Sequence, residues 1–143
     1  MKHIWSILCK KTVIDTDTNN LSIFDVLEEA TFTPFDKEWN KEKDKPIMVP
    51  FDFELVSLWL IEKEKKLEML IEVCNPKGKR VKVFEKIIPF PQGKTRMRTL
   101  IKIRKFKFRG PGNYLFSVKV KDGQRYKLVA EIPLEIKVKL PSK

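Results

Sequence analysis

The sequence predicts an all-β protein folded as a two-sheet antiparallel β-sandwich of about eight strands. Short segments in which apolar and polar residues alternate recur along the chain. Clusters of Gly, Pro, Asn and Asp separate these segments and mark the turns between strands. The 143 residues suit one domain, 1–143, that is large enough to bury a core without metals or disulfides.

Two segments carry the clearest strand patterns. Residues 51–55 alternate and then continue to Ile61 as a run that is apolar on both faces, which predicts a central strand whose ends differ in exposure. Residues 67–73 also alternate, and their uniformly apolar face consists of Leu67, Met69, Ile71 and Val73. This second pattern predicts a strand with one buried face.

The first predicted hairpin follows Val73. The turn Asn75-Pro76-Lys77-Gly78 has Pro and Gly where a type I turn prefers them. A three-residue loop pairs Asn75 with Lys79. It also sets Val73 opposite Val81 and Ile71 opposite Val83.

The last predicted hairpin joins an alternating strand at 114–120 to a returning strand at 124–132. Because the register of a half-buried hairpin follows its apolar face, a three-residue loop at 121–123 is predicted. That loop pairs Val120 with Gln124, Val118 with Tyr126, and Phe116 with Leu128.

The remaining segments give weaker signals. The apolar positions of Met97–Phe108 change parity, which predicts a bulge or bend near Arg104-Lys105. Pro133 suits an edge position or a kink in the final strand. Residues 21–29 favour a strand over a short helix because of their β-branched content. The charged stretch 36–45 lacks an apolar period and is predicted to be a loop.

Two stretches resemble a family of small, uncharacterised bacterial proteins. The first runs from Ile7-Leu8-Cys9-Lys10 through Thr18–Phe24 to Val26-Leu27-Glu28, and the second from Phe108-Arg109-Gly110-Pro111-Gly112-Asn113-Tyr114 on to Ala130–Leu134. The resemblance implies an immunoglobulin-like or C2-like sandwich and offers no functional residue. Tyr114, just after the Gly-Pro-Gly corner, is either a corner tyrosine that bonds back to the backbone or an ordinary core tyrosine.

The residue types that catalysis and metal binding require are sparse. His3 is the only histidine, and the two cysteines, Cys9 and Cys74, lie far apart in sequence. We therefore expect no catalytic, metal-binding or cofactor-binding residues. The apolar stretch at 4–9 is too short for a secretory signal or a membrane span, so we expect a cytoplasmic protein with reduced thiols and no membrane partner.

The charge is divided unevenly along the chain. Residues 1–75 carry ten Lys and fifteen acids (net −5), whereas residues 76–143 carry twenty Lys plus Arg and four acids (net +16), which together give +11. This asymmetry indicates an anionic partner or polar self-association. The alternative interpretation is a thermophile's solvated surface, because Lys and Glu are plentiful and Gln is rare.

A candidate anion-binding face follows from the outward positions of three predicted strands. Its eight residues are Arg98, Lys102, Arg104, Lys119, Arg125, Lys127, Lys137 and Lys139. If the three strands share a sheet, these side chains form one cationic face suited to phosphates. In an immunoglobulin-like strand order, the last two strands lie beside residues 67–73 instead, and Glu68 and Glu72 partly neutralise them.

Three functions remain open. The first is a non-enzymatic binding or scaffold module that engages a protein partner or a second copy of itself through sheet surfaces or edge strands. The second is a nucleic-acid-associated protein that uses the cationic face. The third is an enzyme with an unfamiliar site, which requires a pocket with perturbed ionisable groups.

Overall fold

A computed structural model describes residues 1–33, 46–49 and 51–139. These residues form strands and contain no helix. In chain order the strands are β1 (Lys2–Ile14), β2 (Leu21–Val26), β3 (Glu29–Phe32), β4 (Pro46–Met48), β5 (Phe53–Leu60), β6 (Lys66–Cys74), β7 (Arg80–Pro89), β8 (Arg96–Ile103), β9 (Lys107–Arg109), β10 (Gly112–Asp122) and β11 (Arg125–Val138). The predicted loop at 36–45 lies outside the described residues.

Two sheets form a sandwich, which confirms the predicted fold class. One sheet has the order β2-β1-β5-β8, the other has the order β3-β11-β10-β6-β7, and β4 pairs separately with β9. The pairs are antiparallel except that β3 runs parallel to β11. Among the described residues the sandwich holds nine strands rather than about eight, since residues 21–32 supply one strand to each sheet.

The chain passes from one sheet to the other at Leu27. Strand β2 pairs with β1, and β3 pairs with β11. The Leu27 N–H donates to Leu8 O at 2.8 Å, and the Glu135 N–H donates to Glu28 O at 3.1 Å. Leu27 and its neighbour Glu28 thus bond to opposite sheets. The preference for a strand at 21–29 is confirmed for β2.

The core lies between the two sheets. Leu67, Met69, Ile71 and Val73 all face it from β6, as their alternation predicts. On β5, Phe53, Leu55 and Trp59 face the core, while Val56 is fully buried on the opposite face. Strand β5 is therefore a central strand whose ends differ in exposure, as expected, since Phe53 is buried and Leu60 is exposed.

A row of hydroxyl side chains crosses the core-facing side of three strands. Ser6 on β1, Ser57 on β5 and Thr99 on β8 are direct neighbours in register. The Ser6 and Ser57 oxygens lie 2.7 Å apart, and the indole N–H of Trp59 donates to Thr99 Oγ1 at 3.0 Å. These bonds satisfy polar groups that would otherwise be costly to bury.

The first hairpin differs from its predicted register. The Asn75 N–H bonds to Lys79 O, which confirms the closing pair of the three-residue loop. Beyond it, Val73 lies opposite Lys82 rather than Val81, and Ile71 lies opposite Phe84 rather than Val83. The reason is a bulge at Val81, which shifts every later residue of β7 to the other face.

The last hairpin is also shifted. Asp122 pairs with Arg125 across a two-residue turn, so the predicted loop at 121–123 is wrong. Gly123 has a φ of 64°, which suits the first central position of a type II′ turn. A bulge at Val129 then sets Val118 opposite Ala130 and Phe116 opposite Ile132.

Two smaller predictions concern irregular backbone. The chain bends after Ile103, Lys105 adopts a φ of 51°, and Phe106 and Phe108 are buried after the change of parity. The predicted bend at Arg104-Lys105 is therefore confirmed. Pro133 lies within β11 opposite Leu115, just before the pairing with β3 begins at Glu135, so the edge position is confirmed.

Candidate anion-binding site

The eight basic residues of the candidate face do not lie on one sheet. Strand β8, with Arg98 and Lys102, belongs to the four-stranded sheet, whereas β10 and β11 belong to the five-stranded sheet. Strand β10 lies beside β6, and β11 lies on the other side of β10. Lys119 Nζ is 3.2 Å from Glu72 Oε2, so the expected neutralisation is present.

The members of this set have separate surroundings. Arg98 donates to Asn19 O and Oδ1 at the tip of the β1–β2 hairpin. Lys102 lies opposite Glu54 in register, and Lys137 bonds to Glu29 at 2.9 Å. Arg125 lies opposite Asp122, Lys127 lies opposite Val120, and Lys139 follows β11. Of the eight, Arg104 alone lines the pocket described next.

A pocket of about 500 Å³ lies where the edge strand β7 meets the bend between β8 and β9. Strand β7 contributes Val81, Lys82 and Phe84, and the bend and β9 contribute residues 104–107 and Arg109. Pro46 and Tyr114 complete the lining. The pocket therefore opens between an edge of one sheet and the segment that leaves the edge of the other.

Five cations surround this pocket: Lys82, Arg104, Lys105, Lys107 and Arg109. No carboxylate lines it in the part of the chain that the structure describes. The nearest ion pair joins Arg104 Nε to Asp52 Oδ2 at 4.0 Å, and both side chains are more than 60% exposed, so the pair is weak. The arrangement concentrates positive potential over a concave surface.

The floor of the pocket is apolar. Phe106 and Tyr114 are almost fully buried, and Phe84 is half-buried. Phe108 connects this floor to the core, since its ring lies 4.7 Å from Phe106 and 4.6 Å from Tyr114. A ligand with both a negative charge and an apolar surface would match this lining.

Tyr114 fixes the backbone at the rim of the pocket. Its hydroxyl accepts a hydrogen bond from the Arg109 N–H, and the Arg109 and Gly110 carbonyl oxygens lie within bonding distance of the same hydroxyl. Of the two interpretations of Tyr114, the corner tyrosine that bonds back to the backbone is confirmed. The corner thereby holds Arg109 at the pocket.

The adjacent β6–β7 turn packs against the same corner. Gly112 has a φ of 130°, and a Cβ at this position would meet Pro76 Cγ at 2.6 Å. The turn therefore approaches the corner closely enough to require glycine. It brings Lys77 and Lys79 to the same end of the sandwich as the pocket.

Sequence reasoning misses most of this pocket for an identifiable reason. The predicted register places Lys82 on the solvent face, because the bulge at Val81 has no sequence signature, and it gives Phe84 no role. The available signal is the charge density of residues 76–109, where Glu85 is the one acid among many Lys and Arg residues. The alternation Lys105-Phe106-Lys107-Phe108-Arg109 marks the same site.

A second cavity, of about 590 Å³, lies beside His3 and Trp59. His3 Nε2 is 2.7 Å from Ser6 Oγ, and burial lowers the pKa of His3 below its ordinary value. The His3 ring meets the Trp59 ring edge-on at 5.0 Å. These contacts join His3 to the hydroxyl row in the core.

The two cysteines are free. Cys9 is buried and Cys74 is half-buried. Burial raises the pKa of the Cys9 thiol, and the nearby Glu54 charge adds to this effect. Cys9 is therefore a poor nucleophile at neutral pH.

Comparisons with known proteins leave the family open: no family model and no curated protein matches the chain. Within residues 1–33, 46–49 and 51–139, no helix is long and apolar enough to cross a membrane. The same residues contain no cluster of three or more His, Cys, Asp or Glu side chains that could hold a metal ion.

Proposed function

We propose that the protein is a non-enzymatic binding module that holds the phosphates of a nucleic acid at the cationic pocket. The observation that carries this proposal is the convergence of five cations, from β7, the β8–β9 bend and β9, on one concave surface. Lys and Arg are the principal ligands of phosphate backbones. Of the partner classes expected from the sequence, this geometry favours nucleic acid.

A polymeric partner is favoured by the charge beyond the pocket. Lys77 and Lys79 lie on the turn that packs against the Gly112 corner, and Arg109 precedes this corner by three residues in the chain. The cationic surface thus extends past the pocket itself. Repeated phosphates along a chain match such a surface better than a single small anion does.

Fluorescence anisotropy with labelled DNA and RNA tests this proposal. Because each neutralised phosphate releases counterions, five contacts predict a log–log salt slope of about −3.5 for a single strand and about −4.5 for a duplex. The variant K107E/R109E should lower the affinity by at least about tenfold at low salt.

The matched control is R125E/K127E, which changes the net charge by the same amount at the opposite end of β10. We expect it to bind with less than about threefold loss, because long-range effects of distant charges are screened. Equal losses in the two variants would show that binding follows net charge rather than the pocket. No binding at low salt would refute the proposal.

A protein partner, or a second copy of the chain, is the second candidate, and the edge strand β7 favours it. In the described part of the chain, β7 pairs only with β6, and its outward side exposes Val81, Val83 and Ile87. Edge strands of this kind accept an additional strand from a partner. Light scattering over a range of protein concentrations should then show an oligomer that Ile87→Lys abolishes and Leu60→Lys, on the other sheet, leaves intact.

A further inference from the structure

The cations of the pocket surround a cavity rather than a convex surface. Phosphate contacts alone need exposed Lys and Arg, which a flat or convex face can present equally well. Here the five side chains border about 500 Å³ of space above an apolar floor. That space has room for a part of the ligand other than its phosphates.

The floor offers an aromatic surface at one point. Phe106 is 5% exposed and Tyr114 is 1% exposed, so both present little more than their edges. Phe84 is half-buried and faces the pocket from the edge strand β7. Lys82 Nζ lies over the Phe84 ring, 5.6 Å from its centroid, so this flexible side chain has to swing aside for a base to stack on that face.

We propose that this pocket admits one unpaired nucleobase against Phe84 while the surrounding cations hold the flanking phosphates. The protein then prefers single-stranded to double-stranded nucleic acid. This inference rests on the proposed function and specifies its ligand class. In a duplex both faces of each base are stacked on their neighbours, so no base is free to enter a cavity. An unpaired base has a free π-face for an aromatic side chain.

A free mononucleotide shares the chemistry of an unpaired nucleotide in a strand. The strand is favoured because Lys77 and Lys79 lie on the turn beside the Gly112 corner and do not line the pocket. Additional phosphates of a strand can contact these residues and strengthen binding through counterion release. A free mononucleotide and a strand are therefore distinguished by how binding affinity changes with the length of the nucleic acid.

The experiment compares three labelled probes of equal length: a single strand, the corresponding duplex, and a strand of mostly abasic nucleotides. The abasic strand keeps the phosphates and removes the bases. We expect the single strand to bind at least about tenfold more tightly than either other probe. Adenosine monophosphate should compete only at concentrations far above those of the strand.

Two variants at one position report on the base directly. Phe84→Ala should reduce single-strand affinity to that of the abasic strand, without changing the affinity for the abasic strand. Phe84→Trp keeps an aromatic surface. Because the chain already holds three tryptophans, the readout is the quenching beyond that of the unsubstituted chain, which the single strand should cause and the abasic strand should not. Phe84 also packs against the core, so its loss in Phe84→Ala can unfold the protein. In that case Phe84→Trp still tests the inference.

The outcomes separate this inference from the proposed function. Equal, salt-dependent binding of all three probes would overturn the base pocket and leave phosphate binding intact. No binding of any probe would overturn both. Full competition by adenosine monophosphate at the concentrations at which the strand binds would overturn the preference for a strand and assign the site to a free nucleotide.

Discussion

The hydroxyl of Tyr114 accepts a hydrogen bond from the backbone N–H of Arg109 at 2.9 Å, so a core side chain fixes the backbone of a pocket cation. The same hydroxyl lies 2.6 Å from Arg109 O and 2.9 Å from Gly110 O. Burial raises the pKa of Tyr114, although the Arg109 N–H opposes this shift. The phenol therefore stays protonated at neutral pH and can donate to one of the two carbonyls.

Tyr114→Phe should lower the free energy of unfolding by about 1–3 kcal/mol, because it leaves buried backbone groups without a partner. Urea unfolding measures this loss. Tyr126→Phe is the control, since Tyr126 is exposed on the last hairpin and should change stability little. Equal effects of the two substitutions would contradict a structural role for the corner.

Gly112→Ala should destabilise the protein through two causes. The φ of 130° is unfavourable for a residue with a side chain, and the new Cβ would meet Pro76 Cγ at 2.6 Å. Backbone strain of this kind costs about 1–3 kcal/mol. Thermal unfolding should show a larger loss for Gly112→Ala than for Gly78→Ala, because Gly78 has a φ of 81° but no atom within 4 Å of an added Cβ.

A double-mutant cycle isolates the steric part of this effect. Pro76→Ala removes the atom that the new Cβ approaches most closely. The double variant P76A/G112A should therefore lose less stability than the sum of the two single variants. Strict additivity would show that the close contact with the turn does not matter.

Thr99→Val should remove the hydrogen bond partner of the buried Trp59 indole while nearly preserving the shape of the side chain. An unsatisfied buried donor costs about 1–3 kcal/mol. Chemical unfolding followed by circular dichroism measures the loss. Thr99→Ser keeps the hydroxyl and should be distinctly more stable than Thr99→Val, and the reverse order would refute the role of this bond.

His3 should make stability depend on pH between about 7.5 and 5.5. Burial lowers its pKa in the folded state below 6.5, so the unfolded chain takes up a proton first as the pH falls. The stability that neutral His3 contributes is fully present above the unfolded pKa and is lost as the pH falls through the lowered, folded-state pKa. Urea midpoints at the two ends of this pH range measure the loss.

The control for His3 is His3→Gln, which removes the chain's one histidine and keeps a hydrogen-bonding side chain. No other side chain ordinarily titrates in this pH window apart from perturbed groups. The variant should therefore show a smaller decline between the two pH values. An equal decline would assign the pH dependence to other groups.

The strands are predictable from the sequence, whereas their register is not. Alternation in residues 67–73 locates both the strand and its buried face, because one-sided burial imposes a period of two. Both predicted hairpin registers assume that this period continues without interruption. The bulges at Val81 and Val129 break it, and neither position carries a residue that distinguishes it from ordinary strand.

The site is less predictable than the fold for the same physical reason. Arg104 belongs to the predicted set because it lies on the outward face of the predicted strand at Met97–Phe108. The orientation of Lys82 depends on the bulge at Val81, so the sequence pattern places it on the wrong face. Lys105, Lys107 and Arg109 meet Lys82 through the packing of β7 against the β8–β9 bend, which no local sequence pattern encodes.

The hydroxyl row of Ser6, Ser57 and Thr99 has a consequence for how the chain finds its fold. Apolar side chains on neighbouring strands are largely interchangeable, so they discriminate poorly between alternative alignments. Hydrogen-bonded groups are not interchangeable. If β1 slipped by two residues along β5, the Ser57 hydroxyl would be buried beside Leu8. If β8 slipped by two residues, the Trp59 indole would be buried without its acceptor. The row thus disfavours misaligned pairings of β1, β5 and β8, in addition to satisfying buried polar groups in the native state.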